Sequence, residues 1–524
     1  MRQVNLMKKK CLLRKNIAAS LLLIVLLILC SCSQEASESV HVTQEPTYEL
    51  IIYIPPNLMF QLPQAIQMFE EEFPRVQVEV RTFTEEHPPF AYDQSGWRNR
   101  FELDVSGMEV FNQTLRNGLI TNKGPDVVIW YDLVAYHGHA NAYHLPYSLI
   151  TFPDLYKTAA WTELFLDLEP LFSADPRFNR EDYVQGVFDA GLIGHRQLFV
   201  PLMYTLPLLV TTKEALEYFG LDVDLEQEPT FVQLMEKIEK FIDENKLNPE
   251  RFLFPPPDRG LRYIYPWVGE PIIDYYLGTV NINSDTFRNA MYSYKMMYEM
   301  TTQRSSYSLQ HLGGWGERGA LWHQVVAKDI YNRNVLFNFT MGYRTFGGTY
   351  TQLSNATEGR TPPWAGNIFL NESPVWFPIQ SIDGVPVAKP VLYAAIRRGT
   401  SNQHNAYEFL RILMSEEWSL IAMPHPDDGM DVYPVNKQAL VSAVDNIKQM
   451  NDSYNPNAIW WWYLPPQTEE RWIAFVQSAV ANENFTHTSL RIVYEYMLPF
   501  FRGEQTFEES VSWLENKLII YVGE

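Results

Sequence analysis

A strand, a helix and a second strand follow one another between residues 48 and 80, and that order constrains the fold more than anything else in the chain. Residues 48–54 (YELIIYI) form an apolar run broken by Pro55, Pro56 and Asn57, which predicts a buried strand. Leu62, Ala65, Ile66, Phe69 and Phe73 then recur at helical spacing, and Pro74 stops the helix. Val76, Val78 and Val80 alternate with polar residues and give the next strand. Two strands joined through a helix run parallel, which puts the chain in the α/β class.

The pattern continues over 524 residues, long enough for two good cores. Residues 126–130 read as a strand introduced by Lys123-Gly124-Pro125. The apolar stretch 198–210 carries Pro201 and Pro207, so it cannot be one uninterrupted central strand, and it suits a segment running between two lobes. Thr230-Phe231-Val232-Gln233 has the form of a capping box, and Phe231, Leu234, Met235, Ile238 and Ile242 carry a helix onward. Ala406, Phe409, Leu410 and Leu413 mark another, and the chain from about Trp472 is mostly helical in pattern. No internal repeat of fixed period is visible.

All three cysteines fall within the first 32 residues. Arg2, Lys8, Lys9, Lys10, Arg14 and Lys15 precede an apolar run over 17–30. Such a run has the length of a secretory core, roughly 7–15 residues, and is short of the ~20 that span a bilayer. Leu29-Cys30-Ser31-Cys32 follows and resembles a bacterial lipobox, in which the cysteine is acylated and becomes the new N-terminus. An ordinary cleaved signal or a short membrane anchor is the alternative. Residues 33–46 are polar and read as a tether. The expected organisation is therefore a signal peptide over 1–31, a lipidated tether over 32–46, and an extracytoplasmic body held to the cell membrane through Cys32. That body has no cysteine for a disulfide or a thiolate metal site, so burial must stabilise it. Apolar residues at 46% and aromatics at 14% allow this. A net charge of −21, more negative once the basic leader is lost, argues against nucleic acid as a partner and mildly against a polyanionic ligand.

The order of motifs resembles the extracellular solute-binding proteins of ABC importers, in the group that includes maltodextrin binders. The resemblance rests on Phe69-Glu70-Glu71-Glu72-Phe73-Pro74, Gly124-Pro125-Asp126-Val127-Val128-Ile129-Trp130 and Val200-Pro201-Leu202-Met203-Tyr204. It continues through Pro229-Thr230-Phe231, Met341-Gly342-Tyr343, Ala394-Ala395-Ile396, Asn405-Ala406-Tyr407-Glu408-Phe409-Leu410, Pro434-Val435-Asn436-Lys437, and Pro466-Gln467 with Trp472. It implies two lobes, each a mostly parallel sheet flanked by helices, joined by two or three crossing segments that act as a hinge. The N-terminal lobe would take 47–205 and 391–440, and the C-terminal lobe 210–388 and 441–524. A small solute, a sugar or oligosaccharide, would be captured between them for permease subunits in the membrane, by a monomer without cofactor. Two departures stand out: apparent insertions around 84–110 and 136–180, and Thr212-Lys213 where the group usually has Asn-Lys.

Catalytic signatures are absent: there is no Gly-x-Ser-x-Gly, His-Glu-x-x-His, P-loop or Gly-x-Gly-x-x-Gly opening a helix. His137, His139 and His144 read as a solvated loop before a metal site, and Asp427, Asp428 and Asp431 as a turn before a calcium loop. Paired carboxylates leave a secreted carbohydrate-active enzyme as the alternative function. Aromatics carry the more telling chemistry, because a sugar's C–H face stacks on a flat ring while polar groups hold its rim. Trp130 ends its strand and should lie at the carboxyl edge of the sheet, where α/β folds bind ligands. Trp315, in Gly313-Gly314-Trp315-Gly316, and Trp461, in Trp460-Trp461-Trp462, are further cleft candidates. The resemblance adds Asp132, Trp472, Tyr343, Tyr265 and Trp267, with Asn57 and Tyr204 as hydrogen-bonding groups.

Overall fold

The computed structural model describes residues 48–54, 62–81, 105–131, 157–224, 231–245, 253, 272–299, 333, 336–341, 374–380, 384–422, 432–452, 469–481 and 487–523. The opening unit is as predicted: β1 (Tyr48–Tyr53), α1 (Leu62–Glu72) and β2 (Val76–Arg81), followed by α2 (Val105–Ile120) and β3 (Val127–Tyr131). β1 and β3 pair in parallel, Ile52 opposite Val127 and Tyr53 opposite Val128. Leu62, Ala65 and Phe69 turn inward from α1, the face their spacing selected.

The 198–210 stretch divides at Leu206 into β4 (Val200–Thr205) and β5 (Pro207–Thr212), which belong to different sheets. β5 leads into α3 (Lys213–Phe219), capped by the Thr212 hydroxyl on the Ala215 amide, and then α4 (Phe231–Asn245). Besides several short helices and two small hairpin pairs over 159–197 and 273–280, the other elements are α5 (Asp285–Glu299), β6 (Asn338–Met341), β7 (Pro374–Pro378), β8 (Val387–Ile396), α6 (Gln403–Leu413), α7 (Glu416–Ala422), β9 (Tyr433–Pro434), α8 (Lys437–Asp452), α9 (Glu469–Gln477), β10 (Val480–Ala481), α10 (His487–Phe501) and α11 (Phe507–Gly523).

The large sheet has seven strands in the order β9-β4-β8-β3-β1-β2, with β10 beside β8. It is mixed. β8 runs antiparallel to both β3 and β4, and all ten of its residues are buried. The smaller sheet, β6-β5-β7, is antiparallel throughout. Among the described residues the large sheet is thus mixed and the small one antiparallel, where the resemblance implied mostly parallel sheets within the same α/β class. β5 arrives directly from β4 and β7 leaves directly for β8, so the two strands must run in opposite directions. Pro201 sits inside β4, where the pairing with β8 is irregular and its missing donor is tolerated. Pro207 takes the first position of β5.

Apolar clusters cover both faces of the large sheet. One holds Ile52, Phe69, Ile129, Phe188, Met203, Phe409 and Trp418; the other holds Leu119, Trp130, Trp161, Phe165, Phe199 and Tyr393. Residues 157–180, expected to be part of an insertion, supply Trp161, Phe165, Leu168 and Phe172 to these clusters. The Leu166 amide donates to Ile396 O at 2.8 Å, which ties the segment to the end of β8. A third cluster surrounds the small sheet with α3 and α4. A fourth joins α5, α10 and α11, and α5 links the last two, with Phe287 and Met291 in the fourth and Met296 against the third. Val476 and Ala479 also pack in the large-sheet core.

Candidate functional site

Both chain crossings leave the large sheet at one edge. β1 and β3 are parallel, so their carboxyl ends, Tyr53 and Tyr131, share that edge. β8 pairs with β3 from Ile396 opposite Val127 to Leu392 opposite Tyr131, and its earlier residues project past the end of β3. Beside them β4 runs outward, Tyr204 opposite Pro390 and Thr205 opposite Lys389, before Leu206 hands the chain to β5. β7 returns on the same path, with Ile379 N bonded to Pro207 O at 3.1 Å and a Gln380–Pro386 bridge leading into β8. The region outside the carboxyl ends of the strands, flanked by the two crossings, is the candidate site.

The opposite edge is locked. The Asp126 carboxylate accepts from the Ile51 amide (3.0 Å), Arg397 Nη2 (3.1 Å), Asn402 Nδ2 (3.3 Å) and the Thr400 hydroxyl. Arg397 Nε meanwhile donates to Pro125 O at 3.0 Å. Gly124 runs against the end of α2, where a Cβ would sit 2.8 Å from the Gly118 carbonyl carbon. The Gly-Pro-Asp motif thus joins β1, β3 and the end of β8, and its carboxylate is committed to the fold.

A second network lies on the helical side. Arg177 Nε donates to Asp175 at 2.9 Å and its Nη2 to Glu408 at 2.6 Å, while Arg411 bonds Glu408 and Glu72, each at 2.7 Å. Hydrogen bonds from the Arg177 side chain bring the Asp175 carboxyl down to about 2, against partial burial, with help from the Arg177 amide and the Tyr407 hydroxyl. Burial pushes Glu408 up, yet hydrogen bonds from Arg177 and Arg411 leave it below the usual carboxylate range.

Of the predicted ligand contacts, Trp130 and Tyr204 fall on described side chains, and both are corrected. Trp130 is 1% exposed. Its ring stacks on Tyr393 at 5.4 Å and 11°, with Phe165 at 6.3 Å and Phe199 edge-on at 5.6 Å, so no face is left for a sugar. Tyr204 is fully buried, and its hydroxyl donates to Val476 O at 3.0 Å. Burial raises its phenol well above the ordinary value. Trp472 lies on α9, the helix that receives this bond; its side chain lies outside the described residues. Cys32, Asn57, Asp132, Tyr265, Trp267, Trp315, Tyr343, Trp461 and the His137, His139 and His144 cluster also lie outside them. Among the described residues no group of three His, Cys, Asp or Glu side chains could hold a metal. The sequence reading passed over Thr205 and Lys389, which sit at the crossing itself. The signal was one lysine in the otherwise apolar run VAKPVLYAAI.

Solved structures share this architecture. The sugar-binding protein MalE from Xanthomonas citri superposes with a TM-score of 0.56 at 13% identity, covering 91% of this chain and 97% of its own. A periplasmic oligogalacturonide binding protein from Yersinia enterocolitica gives 0.56 at 11% identity, over 91% and 99%. The fold is that of a two-lobed periplasmic binding protein. No family model and no curated protein matches the sequence. The chain changes sheet at Leu206 and returns from β7 to β8, and the helices from His487 onward pack in the fourth cluster.

Proposed function

We propose that this protein captures a small solute, a sugar or oligosaccharide, at the carboxyl edge of the large sheet and delivers it to the permease subunits of an ABC importer. The observation that carries the reading is the placement of both crossings at that edge. A ligand held there touches the segments about which the lobes would move, so it favours the closed state through contacts to both. The structural neighbours named as sugar- and oligogalacturonide-binding support the choice of ligand class. Asp132 directly follows Tyr131 at the end of β3, Asn57 follows the end of β1, and Trp472 rides on the helix bonded to the crossing strand. These three, with Tyr265, Trp267, Trp315, Tyr343 and Trp461, are the proposed ligand contacts. The protein acts as a monomeric carrier without catalysis, lipid-anchored through Cys32 on the outer face of the membrane.

The test is a thermal-shift screen of mono- and oligosaccharides, followed by solution scattering with the best hit. Binding with a reduced radius of gyration and an unconsumed ligand is the expected result. An unchanged radius with a bound ligand would overturn hinge closure, and hydrolysis of the ligand would overturn the carrier reading.

A further inference from the structure

α11 buries Phe507, Val511, Leu514, Leu518, Tyr521 and Val522 on one face and carries an apolar strip on the other. Trp513 is 65% exposed, and Ile520, two turns on, is 55% exposed. The Trp513 ring meets no other ring among the described residues. Opposite charges flank it evenly. Glu509 stands four residues before Trp513 and Lys517 four after, about 6 Å to either side along the axis. Glu509 closes a capping box, accepting from the Thr506 amide at 2.8 Å and the Thr506 hydroxyl at 2.9 Å, both through Oε2, so Oε1 stays open. Lys517 is exposed and has no ion-pair partner among the described residues. The other two carboxylates of the helix are held aside, Glu508 by Arg288 at 2.7 Å and Glu515 by Asn283 at 3.0 Å.

We propose that α11 pairs with α11 of a second copy of this chain, antiparallel, about a two-fold axis at Trp513. Reversing the helix about that point exchanges the places of Glu509 and Lys517. Each Glu509 then faces the partner's Lys517, and the two indoles meet at the centre, where a tryptophan contributes most to an interface. Ile520 of each copy comes over the start of the partner helix and extends the apolar strip. A parallel pair in register would set glutamate against glutamate and lysine against lysine, so the charges select the antiparallel one. One helix strip falls below the roughly 1,200 Å² that stable interfaces bury, so the pair is weak and depends on concentration. Copies held in one membrane would meet at a raised effective concentration, which favours a weak pair. Capture by each copy needs no second chain, so the pairing adds to the carrier reading and does not rest on it.

The experiment is sedimentation equilibrium of the full chain in density-matched detergent over a wide range of concentration, with a thermal melt of each variant. Wild type should fit a monomer–dimer equilibrium in the micromolar range. Trp513→Glu should raise the dissociation constant by about tenfold or more. Glu509→Lys and Lys517→Glu should each weaken the pair by about two- to fivefold, because like charges then face each other, and the double variant should return it to wild-type strength. A single-chain mass at every concentration would overturn the pairing. If Trp513→Glu then abolished solute uptake by cells at unchanged solute affinity, the face would belong to the transporter instead. A double variant no stronger than either single one would overturn the two-fold arrangement, as would assemblies that grow past two copies.

Discussion

The Tyr204 hydroxyl donates to the carbonyl oxygen of Val476 at 3.0 Å, joining residues 272 apart in sequence. One lies on β4 two residues before Leu206, the other near the end of α9, so the bond fixes that helix to the strand from which the chain leaves the large sheet. Tyr204→Phe should cost about 1 kcal/mol, the ordinary net worth of such a bond, because Val476 O keeps a weaker 3.3 Å bond from the Ala479 amide. Urea denaturation should show a lower midpoint with an unchanged slope. A loss above about 3 kcal/mol would mean the ring contact with Tyr433 matters more than the hydroxyl.

Trp130 fills the space between the large sheet and the segment over it. Trp130→Ala should destabilise by about 3–5 kcal/mol. Trp130→Phe should lower the melting temperature and leave saccharide affinity at the wild-type value. A folded Trp130→Phe protein that loses binding would return this ring to the site.

Asp126 is a buried anion matched to Arg397. Asp126→Ala strands the guanidinium and also removes the acceptor for the Ile51 amide and Thr400, so a loss of about 3–5 kcal/mol is expected. Circular dichroism melts should place this variant well below wild type. Ligand affinity of whatever folds should be unaffected, because the carboxylate lies at the edge away from the crossings.

Acid should weaken the first lobe within a defined window. The folded-state value for Asp175 is about 2, below its unfolded value near 3.9, so its contribution is present above about pH 4 and is lost as the pH falls toward 2. Glu408, also lowered, acts in the same sense. The melting temperature should drop across that window, and Asp175→Asn should be less stable at pH 6 with a flatter dependence below pH 4. Parallel curves for the two proteins would show that other carboxylates govern acid unfolding.

Lipid attachment has its own test. Cys32→Ser should leave the protein unprocessed or release it to the medium, read by fractionation. Normal processing with surface retention would overturn the anchor.

The elements that the sequence made legible share a cause: their residues answer to local spacing. The α1 stripe ending in Phe69 and the α6 stripe through Ala406, Phe409 and Leu410 each point one way on a helix, so burial follows directly from period. Trp130 does not answer to spacing. A residue at a strand end is open or covered according to what lies over the sheet, and here Phe165 and Phe199 cover it, 35 and 69 positions onward. Asp126 shows the same limit, since its partners come from 51, 397, 400 and 402. The resemblance to the solute-binding proteins, not any spacing in the chain, implies a parallel smaller sheet. The direction of β5 was instead set by its continuity with β4.

The two crossings are bonded to each other on both sides of Leu206, through Ile379 to Pro207 and through the facing of Lys389 with Thr205. Two separate strings of chain would let the lobes slide, stretch and swivel. A laced pair of strands resists lengthwise slip, because slip breaks a whole row of bonds, and it yields mainly by twisting or folding across its width. Relative motion is thereby narrowed to something near a single coordinate. A ligand then has few directions of wandering to suppress, and most of its contact energy can go into setting one angle.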